Sequence, residues 1–500
     1  MKQYIAVVDI GKTNKKVLIY DRALHLVEVV KQRIDEVQRE GLHFEDIAGM
    51  STWVKAQIKV MAAKYPIAAI SVTTHGATIV CIDEQGKVAV PTVAYTTETA
   101  AEISDAFFAR FGSREALQKE TATAEIGSLI NTGKMVSFLQ RTFPAEFKTV
   151  RHILNFPQYF GYLFTGRIGA EATYIGCHTY LYDACNKCYS RVARELGIID
   201  KLPPQIGKSW DVLGHVTPAI SQELGLDANC IVTMGIHDSN ASLLPYLVQQ
   251  QDDFVLNSTG TWCVAMHPAK EINFADEELG KTVFYNQDAF SHPVKTSIFL
   301  GGMEFDTYIR LLQEINGVQQ WPGDLSAATR REVKASTHFI LPSVVPGVGL
   351  FPASKPCAVE NHEIYPLATI QDGSRVPAFF RDFDAASAVL NLALIFQTRT
   401  ALAYAGFSGK GLLYVEGDSR NDRNYMGLLA AIYPEALVAS THLEEATAFG
   451  AAILAEAALQ QNTPMVTRAL FNIESVRATP MDVTGVQAYF AQYLSQLQKS

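Results

Sequence analysis

Long uninterrupted apolar runs are missing from this 500-residue chain. The most apolar helix-like segments, at 385–405 and 448–459, are broken by polar or charged residues, whereas a membrane span needs roughly 20 mostly apolar residues in a row. The opening MKQYIAVVDIG has no basic stretch followed by an apolar core, so it does not read as a secretory signal. We therefore expect a cytoplasmic protein with no membrane partner.

An excess of basic residues and a disulfide framework are also absent. The 42 Lys and Arg residues against 51 Asp and Glu residues give a net charge of −9, which argues against a nucleic-acid surface. That balance still allows ATP, because backbone amides and one cation can hold phosphates locally. The seven cysteines are an odd, scattered set. The single Cys185-x-x-Cys188 motif has no second ligand pair at zinc-site spacing, which favours reduced thiols.

What is present predicts a two-domain α/β protein. The chain is too long for one hydrophobic core, and its 48% hydrophobic residues are typical of globular proteins. A strand-turn-strand pattern at 4–21 is repeated at 254–266, and alternating strands and helices follow each copy. A further strand-turn-strand pattern at 69–83 predicts another hairpin, and 97–164 reads as mainly helical. The QQQDD segment at 249–253 is the best boundary, so we expect domains at 1–248 and 249–500.

The first candidate site is the loop DIGKTNKK, which starts at Asp9. Its GKT letters suggest a P-loop, but that motif needs a glycine at position 6, where this chain has Ala. The alternative is a hairpin loop whose amides and Thr13 hydroxyl face phosphate oxygens. Asp9, at the end of the first strand, suits the waters of a Mg²⁺ ion. An ordinary hairpin turn is the competing interpretation.

Three other segments carry candidate chemistry. Ser258-Thr259-Gly260-Thr261 combines hydroxyls with a flexible glycine that allows close approach to phosphate. Asp238, in GIHDSNAS, lies at a strand end just before a predicted helix, where a carboxylate stays ionised and suits a base in phosphoryl transfer. The segment starting at Glu416 follows a buried strand, where nucleotides bind in α/β folds. Each also has a plain alternative: a common turn, a helix N-cap and a βα loop.

Taken together in this order, the four segments resemble the FGGY carbohydrate kinases, within the actin- and hexokinase-like ATPase superfold. The similarity runs from residue 4 to about 457. FPQYFGYLFTGRIGAEAT at 156–173 and EEATAFGAAILA at 444–455 add to it. The resemblance implies two ribonuclease-H-like domains with a central cleft, and transfer of the γ-phosphate of ATP to a sugar hydroxyl with Mg²⁺. Family members are often dimers, so a homodimer is a further expectation.

The resemblance also assigns site residues. Asp238 is expected to be the catalytic base, and Asp9 to hold the metal through water. Sugar contacts are expected from His75, Gly76, Thr78, His237 and Asp238. Phosphate and nucleotide contacts are expected from Gly11, Lys12, Thr13, Asn14, Thr259, Gly260, Thr261, Gly417, Asp418, Ser419 and Asn421.

The sugar itself is less defined by the resemblance. The Trp after the second phosphate loop and His237 are similar to the rhamnulose and fuculose kinase branch, so rhamnulose, fuculose or xylulose are the expected ketoses. Thr78 stands where those enzymes usually have Asp, and Tyr95-Thr96-Thr97-Glu98 replaces the family's Arg- or Asp-bearing stretch after the next strand. In the nucleotide loop, the family's Gly-Gly-Gly is replaced by Glu416-Gly417-Asp418. Two other classes stay open: a catalytically silent regulator that responds to sugar or nucleotide, and an actin- or chaperone-like ATPase with a protein partner.

Overall fold

The computed structural model describes residues 2–250 and 252–499. Gln251, inside the segment where the sequence predicts the domain boundary, lies outside the described residues. The boundary near 249 stays a prediction.

The first half of the chain contains one large sheet and its covering helices. Its strands are β1 (Tyr4–Ile10), β2 (Asn14–Asp21), β3 (Leu26–Arg33), β4 (Val37–Arg39), β5 (Leu42–Phe44), β6 (Ile67–Thr74), β7 (Ile79–Ile82), β8 (His152–Asn155), β9 (Tyr182–Asp183), β10 (Cys188–Tyr189), β11 (Val212–His215), β12 (Ile231–Thr233) and β13 (Ile236–His237). Its helices are α1 (Ile47–Ala62), α2 (Ala101–Phe111), α3 (Arg114–Thr121), α4 (Thr132–Thr142), α5 (Pro144–Phe147), α6 (Phe156–Thr165), α7 (Ala172–Ile175), α8 (Arg191–Glu195), α9 (Pro218–Leu224) and α10 (Asp238–Gln249).

The second half is built from a second large sheet. Its strands are β14 (Phe254–Thr259), β15 (Cys263–Pro268), β16 (Val283–Gln287), β17 (Pro293–Phe299), β18 (His338–Leu341), β19 (Cys357–Glu360), β20 (Glu363–Pro366), β21 (Gly411–Gly417), β22 (Ala436–Thr441) and β23 (Ser475–Arg477). Its helices are α11 (Gly301–Asn316), α12 (Ser326–Ala335), α13 (Leu367–Gln371), α14 (Phe383–Tyr404), α15 (Arg423–Ile432), α16 (Ala446–Leu459) and α17 (Val486–Leu497). Short 3₁₀ helices lie at Ile199–Lys201, Asp276–Glu278, Ala378–Arg381, Asp418–Asn421 and Pro464–Leu470.

The two sheets share one topology. In the first, the antiparallel strands β3, β2 and β1 are followed by β6 and β12, which run parallel to β1. In the second, β17, β15 and β14 are antiparallel and β21 and β22 continue in parallel. Three antiparallel strands followed by two parallel ones are the ribonuclease-H-like arrangement, and its repetition confirms the predicted pair of α/β domains of the actin and hexokinase type.

Burial follows from this topology. Six of the seven residues of β1 are buried, because a strand between neighbours with helices on both faces has no solvent side. The helices begin where side chains satisfy free amides: Asp46 accepts from Gly49, Thr217 from Ile220 and Asp382 from Ala385. Strong sheet patterning and capped helices explain why the element types were readable from sequence.

Helices α10 and α16 interlock the two halves. α16 comes from the second half, yet its Ile453 shares a buried cluster with Ile5 of β1. α10 comes from the first half, yet its Leu243 packs with Leu256 of β14. The two helices touch backbone to backbone, because a Cβ added at Gly450 of α16 would lie 1.9 Å from the carbonyl oxygen of Ala241 on α10.

Two local predictions were wrong. The pattern at 69–83 predicts a hairpin, but β6 lies between β1 and β12 and has no free edge for β7. β7 instead pairs with β8, a strand inside the region that reads as helical. Pairing between distant segments decided both cases.

By length and composition, α14 could cross a membrane. However, 89% of its most apolar 18-residue stretch is buried inside the fold. It therefore serves as the core helix of the second half.

Candidate active site

Asp238 is the first residue of α10, and His237 is the helix N-cap. The backbone N–H of Ser239 donates to Asp238 Oδ1 at 2.6 Å, and the helix N-terminus favours the charged carboxylate. Burial raises the pKa of Asp238, while His75 and the bonds from Ser239 oppose that rise. The side chain stays 33% exposed. The alternative interpretation, that Asp238 is only the N-cap of the helix, does not fit the structure, because His237 occupies the N-cap position.

A cavity of about 270 Å³ opens beside Asp238, between the two halves. This is close to the lower end, about 300 Å³, of ligand pockets in proteins. Its polar lining includes His75, His178, His237, Asp238 and Asn286. The cavity therefore takes residues from loops of the first sheet and from β16 of the second.

Several polar atoms of the cavity walls lack partners. His75 Nε2, His178 Nδ1 and Asn286 Oδ1 are buried and make no hydrogen bond within residues 2–250 and 252–499. Buried polar groups are normally hydrogen-bonded, and leaving one unpaired costs about 1–3 kcal/mol. A ligand with hydroxyl groups would supply the missing partners if these side chains turned toward the cavity.

Four of the five predicted sugar residues meet in this cavity. His75, Gly76, His237 and Asp238 line it. Thr78 is fully buried, its backbone N–H and C=O both bond to the Tyr174 hydroxyl, and it is not among the lining residues. The sugar role of Thr78 stays a prediction, and the structure gives it a supporting position under the loop.

The side chain of Lys12, in the first hairpin, contacts residues beside the 270 Å³ cavity. Its Nζ donates to Glu45 Oε1 at 2.5 Å, forms an ion pair with Glu36 and lies 4.6 Å from the Tyr95 ring centre. Glu45 Oε1 is in turn 3.9 Å from His75 Nε2. The phosphate role of Lys12 stays a prediction, and these contacts favour positioning of Tyr95 and His75.

The rest of the first hairpin places charge at the cleft. In the β1–β2 ladder Asp9 is paired with Lys16, whose Nζ lies 3.7 Å from Asp9 Oδ2 and also contacts Glu445. Burial raises the pKa of Asp9 to about 7; Lys16 opposes this, while the charges of Asp238 and Glu445 add to it. Gly11, Thr13 and Asn14 form the turn, with Thr13 and Asn14 exposed.

These carboxylates fit a hydrated divalent cation. Mg²⁺ keeps most of its waters and takes one or two carboxylate oxygens. Burial is the main cause of the raised pKa of Asp9, and the charges of Asp238 and Glu445 add to it. A cation held beside Asp9 would offset both effects. Asp9 would hold it, as the sequence predicts.

The second hairpin is tied to the loop after β21. Thr259 is buried; its hydroxyl donates to the Glu416 carbonyl at 2.6 Å and accepts from the Ser419 N–H at 2.9 Å. Gly417 has φ of 80°, and a Cβ there would lie 1.9 Å from the Thr259 carbonyl oxygen. Only glycine fits this contact. Thr259 and Gly417 thus join the two loops, and their own phosphate roles stay predictions.

A larger cavity, of about 880 Å³, lies on the other side of these loops. The predicted nucleotide residues Gly260, Asp418, Ser419 and Asn421 line it together. Thr261 is exposed beside Asp418. The remaining lining belongs to no motif that the sequence shows, and it includes Phe305, Trp321, Asn391 and Tyr425.

An aromatic pair marks one wall of this cavity. Trp321 is 62% exposed and lies parallel to Phe305, at 4° and 5.6 Å between ring centres. A large exposed aromatic at a cavity wall suits contact with a planar base.

The two extra carboxylates of the nucleotide loop have different environments. Asp418 lines the larger cavity. Glu416 is buried, accepts from the Tyr246 hydroxyl at 3.3 Å, and has its pKa raised to about 7 by burial. Glu416 therefore faces α10 rather than the cavity.

Two ribonuclease-H-like domains with buried carboxylates at the cleft define a kinase or ATPase fold of the actin and hexokinase class. The sequence matches the FGGY family of carbohydrate kinases, N-terminal domain, over residues 4–245 and the carbohydrate kinase FGGY, C-terminal domain, over residues 251–464. The chain belongs to the FGGY family of carbohydrate kinases.

Individual relatives are distant. A rhamnulokinase of Halalkalibacterium halodurans is 23% identical over 288 residues, 55% of this chain and 60% of the relative. An L-fuculokinase of Salmonella typhi is 23% identical over 283 residues, 53% of this chain and 57% of the relative. The matches thus span little more than half the length of these curated relatives.

Solved structures agree in fold over the whole chain. A carbohydrate kinase from Novosphingobium aromaticivorans has a TM-score of 0.80 at 23% identity, covering 100% of this chain and 99% of that one. A ligand-bound xylulose kinase from Lactobacillus acidophilus has a TM-score of 0.82 at 16% identity, covering 99% and 98%.

Proposed function

We propose that this protein transfers the γ-phosphate of ATP to a hydroxyl of a ketose or 6-deoxyketose, with Asp238 as the base. One observation carries the proposal: Asp238 faces a cavity of sugar size while its charge also acts on Asp9, at the phosphate hairpin. A single carboxylate therefore adjoins both the acceptor cavity and the charged end of the cleft.

Each group in the cleft has a role in this reaction. Asp238 accepts the proton of the attacking hydroxyl, and the raised pKa makes the carboxylate a better proton acceptor than an exposed Asp. Phosphoryl transfer otherwise depends on positioning and charge neutralisation. Lys16 supplies a fixed cation beside Asp9, and Mg²⁺ held at Asp9 would neutralise phosphate charge when bound.

The walls of the smaller cavity support a deoxyketose. Beside its polar groups, the cavity is lined by an apolar cluster of Ile126, Phe284 and Ile298, with Ile130 and Val264 packed against it. A methyl group would lie against this wall without burying a hydroxyl, whereas an unpaired buried hydroxyl is costly. The names of the relatives, rhamnulokinase and L-fuculokinase, agree with such a substrate.

The larger cavity suits the nucleoside of ATP. It lies behind the second hairpin, whose Gly260 also lines it, and it offers Trp321 for the base. A cytosolic location and a homodimer remain parts of the proposal that follow from the family alone.

An ADP-release assay with Mg²⁺ and ATP tests the proposal. The panel would contain ketopentoses, 6-deoxyketohexoses, glycerol and aldoses. We expect turnover with a ketose or 6-deoxyketose. Asp238→Asn should lower kcat roughly 100- to 10,000-fold while leaving ATP binding intact. Asp200→Asn, which changes an exposed carboxylate in a 3₁₀ turn, is the matched control.

The assay also separates the alternatives. Equal turnover of wild type and Asp238→Asn would refute the base assignment. Sugar and nucleotide binding without ADP release would favour a catalytically silent regulator. ATP hydrolysis that no sugar changes would favour an ATPase with a protein partner.

A further inference from the structure

One cysteine and two histidines meet at the wall of the smaller cavity, the proposed sugar site. Their arrangement is that of metal ligands, which sugar binding does not require. Cys177 Sγ lies 3.8 Å from His237 Nε2. One ligand atom from each of Cys177, His178 and His237 lies within 4.8 Å of the others. Tetrahedral zinc, with bonds of about 2.3 Å to sulfur and about 2.0 Å to nitrogen, places such atoms roughly 3.5 Å apart. Small side-chain movements would bring the three ligand atoms to these distances.

The two histidine nitrogens point at the same space. A Cβ placed on Gly76 would lie 2.7 Å from His237 Nε2 and 2.9 Å from His178 Nε2. Because residue 76 is glycine, that space is not filled by a side chain. Both nitrogens therefore border the cavity near one point.

The backbone is bent in a way that brings adjacent ligands together. His178 has a φ of 41°, in the left-handed region that residues with side chains rarely adopt. Neighbouring side chains of an extended chain point to opposite sides, and this bend lets Cys177 and His178 both approach His237. Strain of this kind tends to persist at functional sites.

The second ring nitrogen of His237 has a neighbour that suits a metal-binding histidine. His237 Nδ1 lies 3.3 Å from the Asn240 amide nitrogen, while Asn240 Oδ1 has no hydrogen-bond partner in the described ranges 2–250 and 252–499. A flip of that amide would let Nδ1–H donate to Oδ1 and free Nε2, the second-shell arrangement of metal-binding histidines.

We propose that Cys177, His178 and His237 bind a thiophilic divalent cation of the Zn²⁺ class, and that the bound cation excludes the sugar. On binding, the Cys177 thiol loses its proton to solvent and its sulfur bonds to the metal. Three protein ligands leave the fourth tetrahedral position to water. The exclusion, which rests on the proposed function, follows because His237 is 3.2 Å from Asp238 Oδ1 and all three ligands line the cavity.

This site differs in kind from the magnesium position. Sulfur and imidazole select zinc, cobalt and related ions, whereas Mg²⁺ prefers oxygen. Millimolar Mg²⁺ should therefore not displace the metal.

Cobalt titration of the full-length protein tests the site directly. We expect saturable binding of one Co²⁺ per chain, with visible bands of tetrahedral cobalt, a thiolate charge-transfer band, and displacement by Zn²⁺. Cys177→Ser should remove the charge-transfer band and weaken binding by more than about tenfold, since loss of even a second-shell partner costs 10–100-fold. His178→Gln should weaken binding while keeping the band. Thermal unfolding of each variant shows that it is folded.

The matched control removes the two cysteines of the Cys185-x-x-Cys188 motif. Cys185 is exposed and Cys188 half-buried, away from the cavity. The Cys185→Ser/Cys188→Ser variant should bind cobalt as the wild type does. A band that survives Cys177→Ser but is lost in this control would overturn the proposal, as would the absence of saturable binding in the wild type.

A competition experiment addresses exclusion. Any sugar that the ADP-release assay identifies should weaken Co²⁺ binding, and Zn²⁺ should raise the KM for that sugar without changing the KM for ATP. Simultaneous binding of sugar and cobalt would refute exclusion. Cobalt binding by a protein that phosphorylates no sugar would leave the metal site standing and refute the proposed function instead.

Discussion

Lys16 is the residue in the cleft that the sequence reasoning left without a role. It is paired with Asp9 across the first hairpin and also contacts Glu445, the residue just before α16. A cation fixed between two carboxylates from different halves can meet phosphate without rearrangement. In the sequence, Lys16 is only the last of three lysines in the loop DIGKTNKK.

Replacing Lys16 should affect the chemical step. We expect Lys16→Met to lower kcat roughly 100-fold, the typical effect of losing one preorganised electrostatic contact, with little change in the KM for sugar. Lys16→Arg should recover part of the loss. Steady-state kinetics measures both. Lys64→Met, which breaks a surface pair with Glu28, should leave kcat unchanged; an unchanged kcat in Lys16→Met would refute the role.

Glu416 is a second residue with an unusual environment, because its carboxyl group is buried against α10. Its pKa is raised from 4.5 to about 7 by burial. The folded state therefore holds the proton more tightly than the unfolded state. The stabilisation is fully present below the unfolded pKa of 4.5 and is lost as pH rises through about 7.

Glu416→Gln should flatten this pH dependence. A shift of this size corresponds to about 3 kcal/mol, so the variant should gain stability of that order above pH 7 relative to wild type. Urea unfolding at a series of pH values measures it. The pKa of Asp9 is also raised to about 7, so Asp9 should account for the pH dependence of the unfolding free energy that remains in this variant. An undiminished slope in Glu416→Gln would show that the carboxyl is not the titrating group.

At the scale of elements, glycine placement decides how loops and helices meet. Gly417 lets β21 approach β14, so the predicted phosphate loop and the predicted nucleotide loop form one unit. Gly450 lets α16 approach α10. Neither contact was readable from sequence, because a glycine in a turn or in an Ala-rich helix has many ordinary explanations.

Gly450→Ala should destabilise the protein although alanine is the better helix former. The new Cβ would lie 1.9 Å from the Ala241 carbonyl oxygen, and overpacking of this kind typically costs about 1–3 kcal/mol. Gly427→Ala, inside α15 with its nearest new contact at 3.4 Å, is the matched control and should be neutral or stabilising by up to about 1 kcal/mol. Denaturant unfolding compares them; equal stability of the two variants would contradict the close crossing.

Element types were largely predictable, and pairing was not. Buried strands such as β1 and β21 and the capped long helices carry strong local patterns. β7 and β8 find each other across about 70 residues of chain because β6 has no free edge, and no local pattern encodes that. The position of Asp238 before a helix at the cleft was predictable from its motif, whereas His178 and Trp321 reach the cavities only through tertiary structure.

At the scale of the whole molecule, the halves share their covering helices. α10 packs on the second sheet and α16 on the first, so neither sheet is fully covered by its own half. Separate melting of two domains would expose both apolar faces.

We therefore expect one cooperative unfolding transition. Trp53 and Trp210 lie in the first half, and Trp262 and Trp321 in the second. Trp→Phe variants that each keep a single tryptophan, either in the first half or in the second, should unfold at the same denaturant midpoint. Tryptophan fluorescence measures that midpoint. Two separated midpoints would contradict the shared-helix packing. ATP should raise both midpoints together.

The interlocked helices also constrain how hybrid enzymes can be assembled from relatives. A crossover at 249 alone would join α10 of one parent to the sheet of another, and set a foreign α16 on the first sheet. The Gly450–Ala241 crossing would then be a junction between parents with unmatched surfaces. Recombination that keeps nucleotide preference from one parent and sugar preference from the other should therefore carry residues 446–459 with the first half.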